Sequence, residues 1–365
     1  MRAAGLIGLK VQASSSSANR QRRDGRAHGS LIGEADFLCP LWMKLLDIYE
    51  ELRSDLKIIE EELADSLVTS QAGLNRSSGH LLEAGGKRIR PLFVLLSGRF
   101  GQYDIHRLKR VAVPLELIHM ATLVHDDVID DAETRRGRKT VKAQWDNRVA
   151  MYTGDYIFAR SLQVVTEIED PAVHRILSRS IMDMCRGEIE QVRDFYDASP
   201  SLLRYFRRIK RKTALLMAVS CQLGSLVSRA EERIVRNLYL YGYYVGMAFQ
   251  VTDDVLDFIG DESVLGKPAG SDLRQGNVTL PVIYALRTAE PRERERILTY
   301  LQSNGRKVPL STVLDIVRRS GGIDYSMRLA ERYLQKALLV LNRLPSCGAR
   351  DSLERIARFV GSRSY

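Results

Sequence analysis

A chain of 365 residues that is 45% apolar and 27% charged holds enough nonpolar material for a substantial core, which excludes general disorder. Its formal charge of +10 comes from basic residues scattered among acidic ones with no aromatic and basic stripe, which points away from nucleic acid and toward small anions or an acidic membrane face. Four widely spaced cysteines, Cys39, Cys185, Cys221 and Cys347, form no Cys-x-x-Cys pair and so suggest neither zinc nor a disulfide framework, and no charge-free apolar run reaches the roughly 18 residues of a spanning helix.

In chain order, residues 1–42 stand apart. "VQASSSSANRQRRDGRAHGS" is rich in Ser, Arg and Gly without a helical period and predicts a disordered leader. Such an opening also suits an organelle transit peptide. The run Met43-Lys44-Leu45-Leu46 reads as a natural start, which favours residues 1–42 as an over-extension of the reading frame. The folded domain is expected over 43–365, in the cytoplasm.

From Met43 onward the pattern is helical. Leu45, Ile48, Leu52, Leu56, Ile59 and Leu63 recur at three- and four-residue steps and predict one amphipathic helix with a buried stripe. Segments 111–131, 150–168, 172–195, 208–226, 231–259 and 324–343 also read as helix, and alternating strand patterns are scarce. The expected fold class is therefore an all-α bundle. The stretches 111–125 and 238–252 are apolar around most of their circumference, so they belong inside it.

Each of these inner helices ends in acid. "LVHDDVID" carries Asp126, Asp127 and Asp130, and "QVTDDVLD" carries Asp253, Asp254 and Asp257. Residues four apart share a helix face, so each motif gathers like charges that repel unless a cation compensates them. Oxygen ligands without His or Cys suit a hard ion, Mg²⁺ above all. A solvated acidic face paired with Arg135, Arg136, Arg138 and Lys139 would explain one such motif, but it leaves the repetition unexplained.

Basic groups complete the pattern. "GGKRIRP" (85–91) offers Lys87 and Arg90 after a flexible Gly pair, "RRG" adds Arg135 and Arg136, "KRKTALL" adds Lys212 and Thr213, and "LGKPAGSDL" adds Lys267. Singly each is a surface charge. Together with two carboxylate clusters they describe a site for two polyphosphates. His119 lies seven residues before Asp126 on a similar face, where it is either a satisfied core histidine or a donor to phosphate.

These motifs, in this order, resemble the trans-prenyltransferases, the head-to-tail polyprenyl diphosphate synthases, and the resemblance runs from about Met43 to the C-terminus. "LVHDDVIDDAE", "AMYTGDY", "RRIKRKTALL", "GYYVGM" and "DLRQGNVTLPV" are similar to the catalytic second component of bacterial heptaprenyl diphosphate synthases in particular. The resemblance implies an isoprenoid synthase fold, a helical bundle around a central cavity. It also implies condensation of isopentenyl diphosphate with an allylic, farnesyl-type diphosphate by ionisation, condensation and proton elimination, supplying an isoprenoid quinone side chain.

Carried over residue by residue, the resemblance assigns Mg²⁺ to Asp126, Asp130, Asp253 and Asp257, with Asp127 and Asp254 in support. Lys87, Arg90, His119 and Arg136 would hold isopentenyl diphosphate. Arg135, Lys212, Thr213, Gln250 and Lys267 would hold the allylic partner, with Lys212 at the reacting diphosphate. The released pyrophosphate is the family's base. Many relatives carry Lys where this chain has Asn277, which leaves the allylic diphosphate one cation fewer.

Ala121 and Thr122, with Ile118 one turn deeper, are small where short-chain members place aromatics, so the product tunnel is expected to stay open beyond farnesyl length. Ala121 alone could equally serve close helix packing. The resemblance further implies a smaller, non-catalytic component I subunit, with a homodimer as the other arrangement, and product release at a membrane surface. Competing readings are a shorter-chain synthase, a terpene cyclase, a non-catalytic regulatory subunit and, weakest, a nucleic-acid-binding protein. A cyclase should replace the second aspartate motif, and a regulatory subunit usually loses one motif, whereas this chain keeps both.

Overall fold

The leading apolar stripe is buried as a unit. In the computed structural model, which describes residues 39–259 and 268–362, Leu45, Ile48, Leu52, Leu56, Ile59 and Leu63 all lie in the core. They sit on two helices where the sequence predicts one, α1 (Cys39–Glu51) and α2 (Arg53–Leu67). Leu52, at φ −101° and ψ 11°, breaks the turn between them while its side chain stays enclosed. α1 begins four residues ahead of Met43. The expectations for residues 1–38 and for Lys267 fall outside the described residues.

There follow α3 (Ala72–Glu83), α4 (Ile89–Gly98), α5 (Ile105–Ile129), a two-stranded hairpin of β1 (Thr134–Arg135) and β2 (Arg138–Lys139), α6 (Val141–Gln144), α7 (Asn147–Val165) and α8 (Pro171–Arg193). Aspartates set the starts of three of these. Asp104, Asp146 and Asp170 accept from the amides of His106, Val149 and Ala172 at 2.9, 2.7 and 2.8 Å, satisfying donors that a helix N-terminus leaves open.

The segment predicted as one helix over 208–226 is three pieces: α9 (Leu202–Ile209), a π-helical turn (Lys210–Ala214) and α10 (Leu215–Val227). α11 (Glu232–Ile259) comes next, then α12 (Ser271–Arg274), α13 (Leu280–Thr288), α14 (Pro291–Gln302), α15 (Leu310–Arg319), α16 (Gly322–Leu341) and α17 (Gly348–Gly361).

α5 and α11 are the inner helices, as their composition predicts. α5 packs against α7, α4, α10 and α2, while α11 packs against α16, α10, α17 and the π turn. A β-carbon at Gly246 would stand 2.5 Å from Ala214 Cα, so only glycine lets α11 approach the π turn this closely. α7 and α8 lie outside and turn large apolar side chains outward: Met151, Tyr152 and Leu162 on α7, with Met182, Ile189 and Val192 on α8. Among the described residues no helix is long and apolar enough to cross a membrane.

Candidate active site

α5 runs buried as far as Val124, and its last turn brings Asp126 and Asp130 to partial exposure. The helix stops at Ile129, two residues short of the predicted end, with Asp130 as its C-cap, because Asp131 adopts a left-handed conformation (φ 51°) that a regular helix does not continue. Asp127 turns inward, 2% exposed, and its Oδ1 accepts from Arg135 Nε at 2.7 Å. The hairpin makes this possible: Arg136 (φ 53°) and Gly137 (φ 73°) are both left-handed, as a tight two-residue turn requires, and fold the two arginines back over α5. Burial raises the Asp127 and Asp130 pKa values, opposed by Arg135 at the first and Lys212 at the second.

The second trio closes α11. Asp254 is buried with both oxygens engaged, Oδ2 by the Tyr205 hydroxyl at 2.7 Å and Oδ1 by Gln250 Nε2 at 2.8 Å. Its enclosure pushes its pKa up to about 7. Asp257 accepts from Ser271 Oγ at 2.9 Å and from the Asp272 amide at 3.2 Å, and its carbonyl from the Gly270 amide at 2.7 Å. Asp253, just before Asp254, is partly exposed.

Two connections bring the trios to the same end of the bundle. Lys212 Nζ lies 3.6 Å from Asp126 Oδ2 and 3.6 Å from Glu188 Oε2. Its neighbour Thr213 donates to Gln250 Oε1 at 2.5 Å, and Gln250 in turn reaches Asp254. In the second connection, Gln275 Nε2 donates to the Asp130 carbonyl at 3.1 Å, and the Asp272 carboxylate acts electrostatically on Asp130 and Asp254 alike. Burial works against the Lys212 ammonium, yet Asp126, Glu188 and Asp130 together hold its pKa above the usual lysine value.

Could these carboxylates hold a metal? Among the described residues no three Asp, Glu, His or Cys side chains gather as a ready chelate. Mg²⁺ does not need one, since it typically binds through one or two carboxylates and fills its octahedron with water and phosphate oxygens. Asp126, Asp130 and Asp253, partly exposed at two helix ends and all oxygen donors, fit an ion shared with a diphosphate.

A second cationic cluster gathers near Arg136 of the hairpin. Arg88, left-handed at φ 46°, buries its guanidinium against Glu60 at 2.6 Å and Glu116 at 3.2 Å. Arg90 has no such pairing: its Nε is enclosed without a hydrogen-bond partner, and burial lowers its pKa to about 10. Arg136 stands close by, and a β-carbon at Gly86 would fall 2.7 Å from its Nη1. Burial first, then Arg90, Arg136, Arg135 and Arg88, hold His119 well below 6.5, so it is neutral at pH 7. Positive charge gathers here around Arg90 and exposed Arg136, with Glu116 as the acid that acts on both, an arrangement whose chemistry suits an anion. Lys87 is exposed at its edge, its carbonyl accepting from the Tyr49 hydroxyl.

On α5 below the trio, Ile118 and Ala121 are fully buried, and Thr122 is partly exposed with its hydroxyl donating to the His119 carbonyl at 2.8 Å. Arg88, Glu116, Glu188, Tyr205, Asp272 and Gln275 are among the participants that escape the sequence reading. Glu116 has a visible signal, a lone acid in the apolar run "VAVPLELIHM". Tyr205 has none.

A family profile described as polyprenyl synthetase matches residues 71–314. Heptaprenyl diphosphate synthase component 2 of Bacillus subtilis (strain 168) is 53% identical over 323 residues, spanning 88% of this chain and 92% of that protein. The protein of that name from Geobacillus stearothermophilus is 53% identical over 326 residues, 88% of this chain and 100% of its own length. Among solved structures, heptaprenyl diphosphate synthase from Staphylococcus aureus superposes with a TM-score of 0.81 at 39% identity, covering 86% of this chain and 99% of that one. A polyprenyl synthase from Caulobacter crescentus CB15, complexed with calcium and isoprenyl diphosphate, gives 0.83 at 30% identity, with 88% and 98% covered.

Proposed function

This chain belongs to the polyprenyl synthetase family, and on that premise we propose how its site divides the work of prenyl transfer. The chain is a prenyltransferase, a long-chain polyprenyl diphosphate synthase. Its reaction joins isopentenyl diphosphate to an allylic diphosphate, and the proposed product is heptaprenyl diphosphate, a precursor suited to an isoprenoid quinone side chain.

The observation that carries the reading is the pair of cationic receptors flanking the first aspartate trio. On one side, Arg90, Arg136 and neutral His119 form the receptor for isopentenyl diphosphate, with Lys87 at its edge. His119 can give that anion one ring N–H without adding a buried charge. On the other side, Lys212, Thr213, Gln250 and Arg135 face the allylic diphosphate, and Lys267 is proposed to join them. Magnesium held by Asp126, Asp130, Asp253 and Asp257 would neutralise the departing diphosphate.

Lys212 already sits between Asp126 and Glu188, so its charge is in place before the carbon–oxygen bond lengthens and costs little reorganisation at that moment. Carbon–carbon bond formation leaves a tertiary cation. Its proton then passes to the released diphosphate, so no side-chain base is required. The growing chain is proposed to run along α5 past partly exposed Thr122, with Ile118 and Ala121 buried behind it.

The two receptors predict separable kinetics. Arg90→Gln should raise the KM for isopentenyl diphosphate by roughly tenfold or more, the cost of one charge-assisted contact, with the allylic KM little changed. Lys212→Met should do the reverse. Steady-state rates with each substrate varied in turn test this, and a mutation that moved both constants alike would overturn the division.

Two relatives are named component 2, which supports a smaller partner subunit, and the outward apolar residues of α7 and α8 are the face proposed to meet it. A product this water-averse is proposed to leave at a membrane surface.

A further inference from the structure

Tyr205 has no part in the roles above, yet it makes the deepest polar contact of the second trio. It is 2% exposed in α9, its ring edge-on to Phe206 at 5.4 Å and 5.7 Å from the Arg208 guanidinium. The hydroxyl donates to Asp254 Oδ2 at 2.7 Å. Burial and the adjacent carboxylate raise the phenol's pKa, so the hydroxyl keeps the proton it donates.

The consequence travels along three side chains. With Oδ2 taken by Tyr205, Asp254 presents Oδ1 to Gln250, which donates through Nε2 at 2.8 Å. That contact decides which way the Gln250 amide faces, since its nitrogen must point at the carboxylate. The amide oxygen is left toward the π turn, where it accepts from Thr213 Oγ1 at 2.5 Å. Thr213 is covalently next to Lys212. The chain of hydrogen bonds therefore starts in α9, crosses α11 and returns to the residues that face the allylic diphosphate, bracing a π turn whose own geometry is less regular than an α-helix.

We propose that Tyr205 is a positioning residue of the prenyl-transfer site, acting through Asp254 and Gln250 to set Thr213 and Lys212 against the allylic diphosphate. In this role Asp254 is an anchor inside the protein, unlike Asp253 beside it. The proposal rests on the assignment of that diphosphate to the Lys212 side of the site.

Tyr205→Phe keeps the ring and its packing and removes only the hydroxyl. The expected result is a rise of about tenfold or more in the allylic KM, the loss of one bond to a charged acceptor, with the isopentenyl KM within about twofold of wild type. In combination with Gln250→Ala the loss should be no greater than that of Gln250→Ala alone, because both act on one chain. Equal changes in both KM values, additive losses, or an unchanged allylic KM would overturn the proposal.

Should Tyr205→Phe fold poorly by thermal melting, Asp254→Asn supplies the same test. It can still accept from Tyr205, but it turns an amide donor toward Gln250 and should show the same one-sided rise. Wild-type turnover in the same assay separates the two levels: an inactive wild type sinks the proposed function, whereas an active one with an insensitive Tyr205→Phe sinks only this inference.

Discussion

Arg88 and Arg90 lie two residues apart in "GGKRIRP", and nothing in the sequence separates their tasks. The backbone does. A left-handed turn at Arg88 sends its guanidinium to Glu60 and Glu116, so its charge is spent internally, while Arg90 is left with an enclosed, unpartnered Nε. The sequence reading named Lys87 and Arg90 and passed over Arg88 because a run of cations does not reveal which one meets an acid 28 residues away. His119 gives this scale its pH test. Its folded pKa lies well below 6.5, so below about pH 6.5 the unfolded chain binds a proton that the folded chain refuses, and the residue subtracts stability as pH falls. Above that pH it contributes no slope. Melting of wild type and His119→Asn between about pH 7.5 and pH 5 should therefore show the variant gaining relative to wild type as acid is added. Parallel curves would contradict a neutral, enclosed imidazole.

The π turn is the element on which the allylic side depends, and it was not legible. One extra residue in a helical turn leaves the apolar pattern of 208–226 intact, so the segment reads as continuous helix while Lys212 and Thr213 point elsewhere than a regular helix would send them. The break at Leu52 escaped for the same reason: the stripe from Leu45 to Leu63 runs through it unbroken. By contrast, the two inner helices were plain, because α5 and α11 are apolar nearly all round and each ends in aspartates. Gly246 is where the π turn meets α11, and Gly246→Ala would drive a β-carbon to 2.5 Å from Ala214 Cα. Overpacking of this kind should cost about 1–3 kcal/mol. Thermal melting should show the loss, with allylic KM rising alongside it. A variant as stable and active as wild type would mean that the close approach is not needed.

At the scale of the whole molecule, the bundle sets two buried helices so that both acidic ends reach one site, while α7 and α8 keep an apolar face turned outward. If that face receives a second subunit, Ile189→Glu should weaken association with a component 1 protein by about tenfold or more, since a charge would be desolvated at the contact. Sedimentation of the mixed proteins measures it, and unchanged association would move the contact elsewhere. The central claim is tested most directly by incubating the protein with Mg²⁺, labelled isopentenyl diphosphate and farnesyl diphosphate, with and without such a partner, and separating the dephosphorylated products by length. Wild type should elongate past the geranylgeranyl length, and Asp126→Ala and Asp253→Ala should each lose about a hundredfold or more of that rate. Failure of wild type to elongate in either mixture, or near-normal rates in either variant, would contradict the account.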